Sequence, residues 1–315
     1  MVGRRAILAG GAVATAAPLA VGDYVLFLLS TVCVLGIYAA SYDLVFGVTG
    51  MLSLGHAVFF GTGAYVVAHT VPPEGPGFLW SLGLAAVAAT LLAVPLGALA
   101  VRVSSHAFVL VTLLFVLVAE LVARSWPSVT GGTDGFVVIA PTVTLPVLGE
   151  VALYDPAVRY GLVLASLVAT LLALRWLVAT RLGLGFRLAR ENPRRAAALG
   201  YPVRRLRHAA FAVGAGGAGL AGGLSALATE QVTASEFSIM TTADPVVFTL
   251  LGGRGTLVGG VLGSGVVRGI RDGVSGATAA YPLVLGAVLI GVVVLAPDGL
   301  IGAARRLGDL WRERR

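Results

Sequence analysis

Four polar side chains stand inside or beside long apolar runs and are the first candidates for chemistry: Asp43, Ser53, His56 and Asp244. An ionisable group at the centre of a membrane helix costs about 2.5–3.5 kcal/mol, and such groups are kept for solute pathways, proton relays or ion sites. Asp43 and Asp244 suit a proton or sodium site, and Ser53 and His56 suit contact with a passing solute. Each hydroxyl or imidazole also has a plainer use, a hydrogen bond to a neighbouring carbonyl. Glu120 and Arg175 lie close to the ends of their runs, where headgroups or water reach them, and carry no functional reading.

Other chemistries are excluded. The 22 basic residues are all arginine, so there is no lysine for a phosphate loop or a Schiff base. His56, His69, His106 and His208 are scattered without the spacing of a zinc site, and no GxSxG elbow occurs. The single cysteine, Cys33, rules out an internal disulfide and reads as a small buried hydrophobe. No bound cofactor or metal is expected, and the chain reads as a non-enzyme. The net charge of +7 does not point to nucleic acid, because the arginines cluster in short stretches between apolar runs.

The elements that must position these residues are membrane helices. The chain is 57% hydrophobic and 12% charged, with mean hydropathy +0.94, where a soluble domain carries about 25% charged residues. Lipid on the outside removes the need for a polar surface. Apolar stretches fall at about 6–20, 24–46, 54–71, 78–101, 106–124, 159–180, 207–228, 240–252, 256–270 and 280–297. Eight or nine of these are full crossings. The short pair 240–252 and 256–270, flanking Gly252, Gly253, Arg254 and Gly255, forms half-helices or a re-entrant hairpin.

The segment 181–207 holds eight arginines against the single acid Glu191, while 125–158 has Asp134, Glu150 and Asp155 and no basic residue. By the positive-inside rule the arginine-rich side is cytoplasmic. The expectation is an all-α integral membrane protein of about ten transmembrane or re-entrant helices with both termini cytoplasmic. It forms a single domain over 1–315, with a cytoplasmic loop at 181–207 and a cytoplasmic tail at 303–315. Arg4 and Arg5 before a short apolar run also fit a signal peptide, but a retained first helix is expected.

Three segments are unusual in composition. Residues 47–65 carry glycine at 47, 50, 55, 61 and 63, which allows close helix approach or a broken helix lining a cavity. In 185–203, Asn192-Pro193 starts a short helix over 194–199 that Gly200 ends, a capped shape suited to a partner's groove. Residues 248–265 have GxGxxG-like spacing without a βαβ unit, so an interrupted helix or close crossing is the better reading. Gly50-x-Leu52-x-x-Gly55 and Gly255-x-Leu257-x-x-Gly260 share a pattern.

These segments together resemble the permeases of ABC importers for branched-chain amino acids, the LivM-type subunit. Residues 50–65 are similar to its G-Q-L-S-L-G-H-A stretch, Arg190 to Tyr201 to its R-E-N…A-L-G-Y stretch, and 252–263 to its glycine-rich stretch. Thr130 to Gly135 resembles T-G-G-S-D-G, and Pro297 to Gly302 resembles P-x-G-L-x-G. The resemblance implies a plasma (inner) membrane subunit of a prokaryote. It would share its pore with a second homologous permease and be driven by two cytoplasmic ATPase subunits that use ATP and Mg. An extracytoplasmic substrate-binding protein would feed it. The ATPase-coupling role then falls on Glu191, Asn192, Ala198, Leu199 and Gly200. Departures are Tyr42-Asp43 where Leu-Asn is usual, Met51 for Gln, and Arg254 in the glycine stretch. Import of urea or short amides by a similar permease is the near alternative, and an ion-driven secondary transporter the distant one.

Overall fold

In a computed structural model, the structure is described for residues 4–15, 17–19, 21–71, 77–145, 149–275, 281–296 and 298–303. Thirteen α-helices are present among them: α1 Arg4–Ala14, α2 Asp23–Asp43, α3 His56–Thr70, α4 Gly77–Ala100, α5 Ser105–Ser125, α6 Pro127–Thr130, α7 Pro156–Ala179, α8 Arg181–Glu191, α9 Pro193–Ala198, α10 Val203–Thr229, α11 Ile239–Gly252, α12 Gly259–Ser275 and α13 Tyr281–Leu295. Short strands add two antiparallel ribbons. β1 (Phe136–Val137) pairs with β4 (Gln231–Val232), and β2 (Thr142–Leu145) with β3 (Gly149–Ala152).

Among the described residues, five helical stretches are long and apolar enough to cross a bilayer: Asp23–Val48, Gly77–Ala100, Ser105–Ser125, Pro156–Ala179 and Val203–Thr229. The chain is therefore a multi-pass membrane protein. The remaining apolar helices, α1, α3, α11, α12 and α13, have 11 to 17 residues. At ~1.5 Å per residue these are shorter than a hydrocarbon core of ~30 Å. Helix lengths alone therefore give fewer full crossings than the eight or nine expected from the apolar runs. The tail at 304–315 lies outside the described residues.

Backbone groups in lipid must be satisfied within the segment, which the helices achieve. Several serine and threonine hydroxyls are satisfied within their own helix as well. Ser30 donates to the Leu26 carbonyl, Ser41 to Ile37, Thr62 to Val58 and Thr90 to Ala86, each one turn back and at 2.7–2.8 Å.

Helix α10 is the axis of the bundle: 72% of its most apolar window is buried, against 22% for α5 and 28% for α4. Small residues let its neighbours reach it. A Cβ on Gly222 would lie 1.8 Å from the Phe60 carbonyl oxygen of α3, so only glycine permits this crossing. Gly63 of α3 meets Gly219 of α10 in the same way. Close packing thus accounts for the second half of the 47–65 glycine run. Helices α11 and α12 form an antiparallel hairpin that also packs on α2, joined by residues 253–258.

Contacts sort the helix ends into two groups. At one end Arg190 of α8 reaches Gly47, just beyond α2, while the 253–257 turn meets Asp298 and Gly299, beyond α13. At the other end the Phe136 ring packs against His69 of α3, and β1 pairs with β4. Tyr160, at the start of α7, donates to the carbonyl of Ala14 at the end of α1.

Candidate functional site

The site is built from the end of α2 upward. After Asp43 the helix widens into one π turn, Leu44–Val48, and then breaks. Asp43 is fully buried, and its carboxylate accepts two backbone N–H bonds from the α11–α12 turn: Gly255 at 2.7 Å and Leu257 at 2.8 Å. Gly255 sits at φ +75°, a conformation that favours glycine. Leu257 sits at φ +62° although it carries a side chain, a strain of about 1–2 kcal/mol that its bond to Asp43 helps to hold.

Arg190, in the last turn of α8, donates to the Gly47 carbonyl inside the π turn. A Cβ on Gly255 would lie 3.3 Å from Arg190 Nη1, so the guanidinium is wedged between the two glycine segments. Arg254 lies over the Phe46 ring at 5.6 Å from its centroid. The turn is closed from behind by the last of the sequence motifs: a Cβ on Gly253 would stand 2.7 Å from the Asp298 carbonyl oxygen. Residues near 43–50, 190, 253–257 and 298–299 therefore meet at one arginine-rich end of the bundle.

Ser53 and His56 lie just beyond this node. Ser53 is buried, and its Oγ accepts from the Gly55 N–H at 3.1 Å, which tightens the turn into α3. The entry to α3 is further tied by Thr112 Oγ1, which accepts from Leu54 N–H at 3.0 Å, and by Thr242 Oγ1, which accepts from Ala57 N–H at 3.3 Å. His56 is fully buried among Tyr42, Phe59 and Phe211, with ring centroids 5.0–6.0 Å away, and neither ring nitrogen has a hydrogen-bond partner. Leaving a buried polar group unpaired costs about 1–3 kcal/mol, a cost that the hydrogen-bonded Asp43 and Ser53 avoid.

Asp43, Ser53 and His56 are thus brought together around the α2–α3 junction. Asp244 is not with them. It lies on α11, eight residues before Gly252, and faces Arg271 of α12 at 3.6 Å. That offset is ~12 Å of helix rise. Sequence reasoning missed Gly255 and Leu257 as partners of Asp43, and Arg190 as the partner of Gly47. The motif stretches that contain them were visible, but their meeting was not.

The 181–207 segment folds as a helix, a cap and a second helix. Asn192 breaks the chain at φ −153°, and its side chain accepts from the Arg195 N–H at 3.0 Å. Pro193 opens α9, and Gly200 at φ +85° ends the turn, one residue beyond the close of the helix at Leu199. The helix occupies 193–198, one residue before the span expected. Ala196 is buried against the body of the protein, whereas Glu191, Ala198, Leu199 and Gly200 are exposed and Asn192 is half-buried. Leu199 is 70% exposed, an apolar knob at the tip of a short arginine-bearing helix.

At the opposite end an apolar cavity of about 520 Å³ opens between α3, α4 and α5, with Val58, Tyr65, His69, Leu92 and Phe237 in its wall. Tyr65 stacks on Phe237 at 5.6 Å. Glu236, beside Phe237 and outside the apolar helices, has its carboxyl pushed up to about 7 by burial.

Among known proteins, the family model described as branched-chain amino acid transport system / permease component matches residues 24–296. The chain is similar to the high-affinity branched-chain amino acid transport system permease protein LivM of Escherichia coli (strain K12), 26% identical over 282 residues. It is equally similar to the LivM protein of Salmonella typhimurium (strain LT2), 26% identical over 283 residues. Each match covers 84% of this chain and 66% of the relative, so the chain spans just under two thirds of those proteins' length. No solved structure matches. The family model covers most of the chain, and the chain belongs to the branched-chain amino acid transport permease family.

Proposed function

We propose that this chain is the translocation subunit of an ATP-driven importer for branched-chain amino acids, in the plasma membrane of a prokaryote. It works beside a second homologous permease, two cytoplasmic ATPase subunits that consume ATP with Mg, and an extracytoplasmic substrate-binding protein. The end bearing α8 and α9 is cytoplasmic, and so are both termini. The end bearing the β ribbons receives the binding protein. About ten segments then alternate in direction, with the short α11–α12 pair completing the path.

The observation that carries this reading is α9. A six-residue helix capped by its own Asn192, with Leu199 projecting beyond its end, is a rigid knob left uncovered by the described residues. Such a knob fits a groove in a partner. The short helix and its exposed rim residues Glu191, Ala198, Leu199 and Gly200 would take up movement of an ATPase. Arg190, in the preceding turn, would pass that movement to Gly47. The solute would pass between the two permeases near the α2–α3 junction, where His56 and Ser53 lie. Asp43 weighs against an ion-driven carrier, because its carboxylate is already held by two backbone N–H groups.

The test is co-purification in mild detergent, followed by uptake with the matching binding protein. Recovery of an ATPase and a second permease, with ATP-dependent leucine uptake, is expected. Recovery of a lone transporter driven by an ion gradient would overturn the reading. Uptake of urea in place of leucine would move the substrate class and keep the mechanism.

A further inference from the structure

We propose that the crevice between the end of α4 and the start of α10 binds the phosphate of an anionic phospholipid. The crevice encloses about 530 Å³, and Arg102, Arg204, Arg205 and His208 stand in its wall. A smaller cavity of about 220 Å³ shares Val101 with it and adds His106 and Arg207. The Nε of Arg207 is shut off from solvent and finds no acceptor among the described residues.

No carboxylate among the described residues lines either cavity. Among the described residues Arg102, Arg204, Arg205 and Arg207 form no ion pair, although other arginines of the chain do. Three guanidinium groups in one crevice repel one another until an anion enters, and arginine suits phosphate because its fork donates to two oxygens at once.

Depth selects a lipid as the source of that phosphate. The floor is made by the last turn of α4 and the first turn of α10, both apolar crossing helices, so the crevice lies where headgroups lie. His208 Nε2 bonds the Val94 carbonyl at 2.8 Å and fixes the two helices together below it. Leu91, Val94 and Leu99 of α4 are exposed along the same helix and offer an acyl chain an apolar track. Ala197 of α9 also lines the crevice, so an occupied site would press on the short helix proposed to couple to the ATPase. That consequence rests on the transporter reading. The binding itself requires only a membrane protein.

The experiment uses the purified full chain in detergent and native mass spectrometry, titrated with phosphatidylglycerol and, separately, with phosphatidylcholine. Phosphatidylglycerol should be retained at least tenfold better. The double variant Arg204→Gln with Arg205→Gln should lose that preference by on the order of fivefold per arginine. Arg204→Lys with Arg205→Lys should keep most of it and controls for folding. Arg181→Gln, an arginine outside the crevice, should leave it unchanged. Equal loss in the Arg181 variant would reduce the effect to general surface charge and overturn the proposal. Displacement of the lipid by millimolar inorganic phosphate would assign the site to a soluble anion, which also overturns it. An unchanged lipid preference in the double glutamine variant would likewise overturn the proposal. Failure of lipid binding leaves the transport reading standing, since no partner enters this measurement.

Discussion

Replacing Asp43 separates a structural staple from a transport carboxylate. In Asp43→Ala both acceptors vanish, and the Leu257 N–H is left buried without a partner. One buried unsatisfied N–H costs about 1–3 kcal/mol, and the half-buried Gly255 N–H adds a smaller amount. The strained Leu257 also loses the bond that holds it, so the total is about 3–5 kcal/mol. Asp43→Asn keeps one acceptor but sets its amide N–H₂ against the second backbone donor, for a loss of about 1–3 kcal/mol. Equilibrium unfolding in mixed micelles should therefore rank wild type above Asn above Ala. Uptake by cells carrying Asp43→Asn should persist at a reduced rate, as the resemblance to relatives with an amide here implies. A carboxylate that carries a proton cannot be replaced by an amide. Complete loss of uptake from a folded Asp43→Asn protein would refute the staple. So would two variants both within about 0.5 kcal/mol of wild type, the range of an unremarkable surface change.

Three further outcomes are expected. Leu199→Asp should abolish ATP-coupled uptake while membrane insertion is unchanged, as read by a uptake assay beside a blot of the membrane fraction; uptake at full rate would show that α9 is not the coupling element. Gly222→Leu drives its Cβ into the Phe60 carbonyl 1.8 Å away, which α3 cannot evade without leaving α10, so folded protein should be lost in size-exclusion profiles. Glu236, with its carboxyl raised to about 7 by burial, binds its proton more tightly folded than unfolded. Stability should then fall as pH rises from about 4.5 to 7 and level off above, and Glu236→Gln should flatten that slope; an unchanged slope in the variant would place its origin elsewhere.

Much of this was legible from local sequence because it depends on local chemistry. Asn192-Pro193 and Gly200 mark the start and stop of α9 through an amide cap, a preset φ and a left-handed residue. The apolar runs mark the helices because nothing else satisfies a backbone in lipid. The role of Asp43 was not legible. Its cost in an apolar run is a property of the residue, but its partners are backbone N–H groups more than two hundred positions away, and backbone donors leave no trace in residue type. The shared pattern of Gly50 and Gly255 was a faint signal of that meeting. Both glycines take φ near +75° in the turn before a short helix, at the same end of the bundle.

The geometry also limits how movement at α9 can travel. Helices α8 and α9 meet at Asn192, whose side chain is spent on capping α9, so the short helix and the end of α8 shift together. Arg190 is within that rigid turn and grips the Gly47 carbonyl, in a π turn where the helix is already widened. Four residues back along the chain, Asp43 holds the α11–α12 turn through two short bonds. A pull on α9 therefore acts at once on the end of α2 and on a hairpin that packs along it. It acts less directly on α5, since α9 packs on α8 and α10. His56 lies one ring away from Tyr42, next to the point of that pull, and among the described residues both its ring nitrogens and the Tyr42 hydroxyl are buried there without a hydrogen-bond partner.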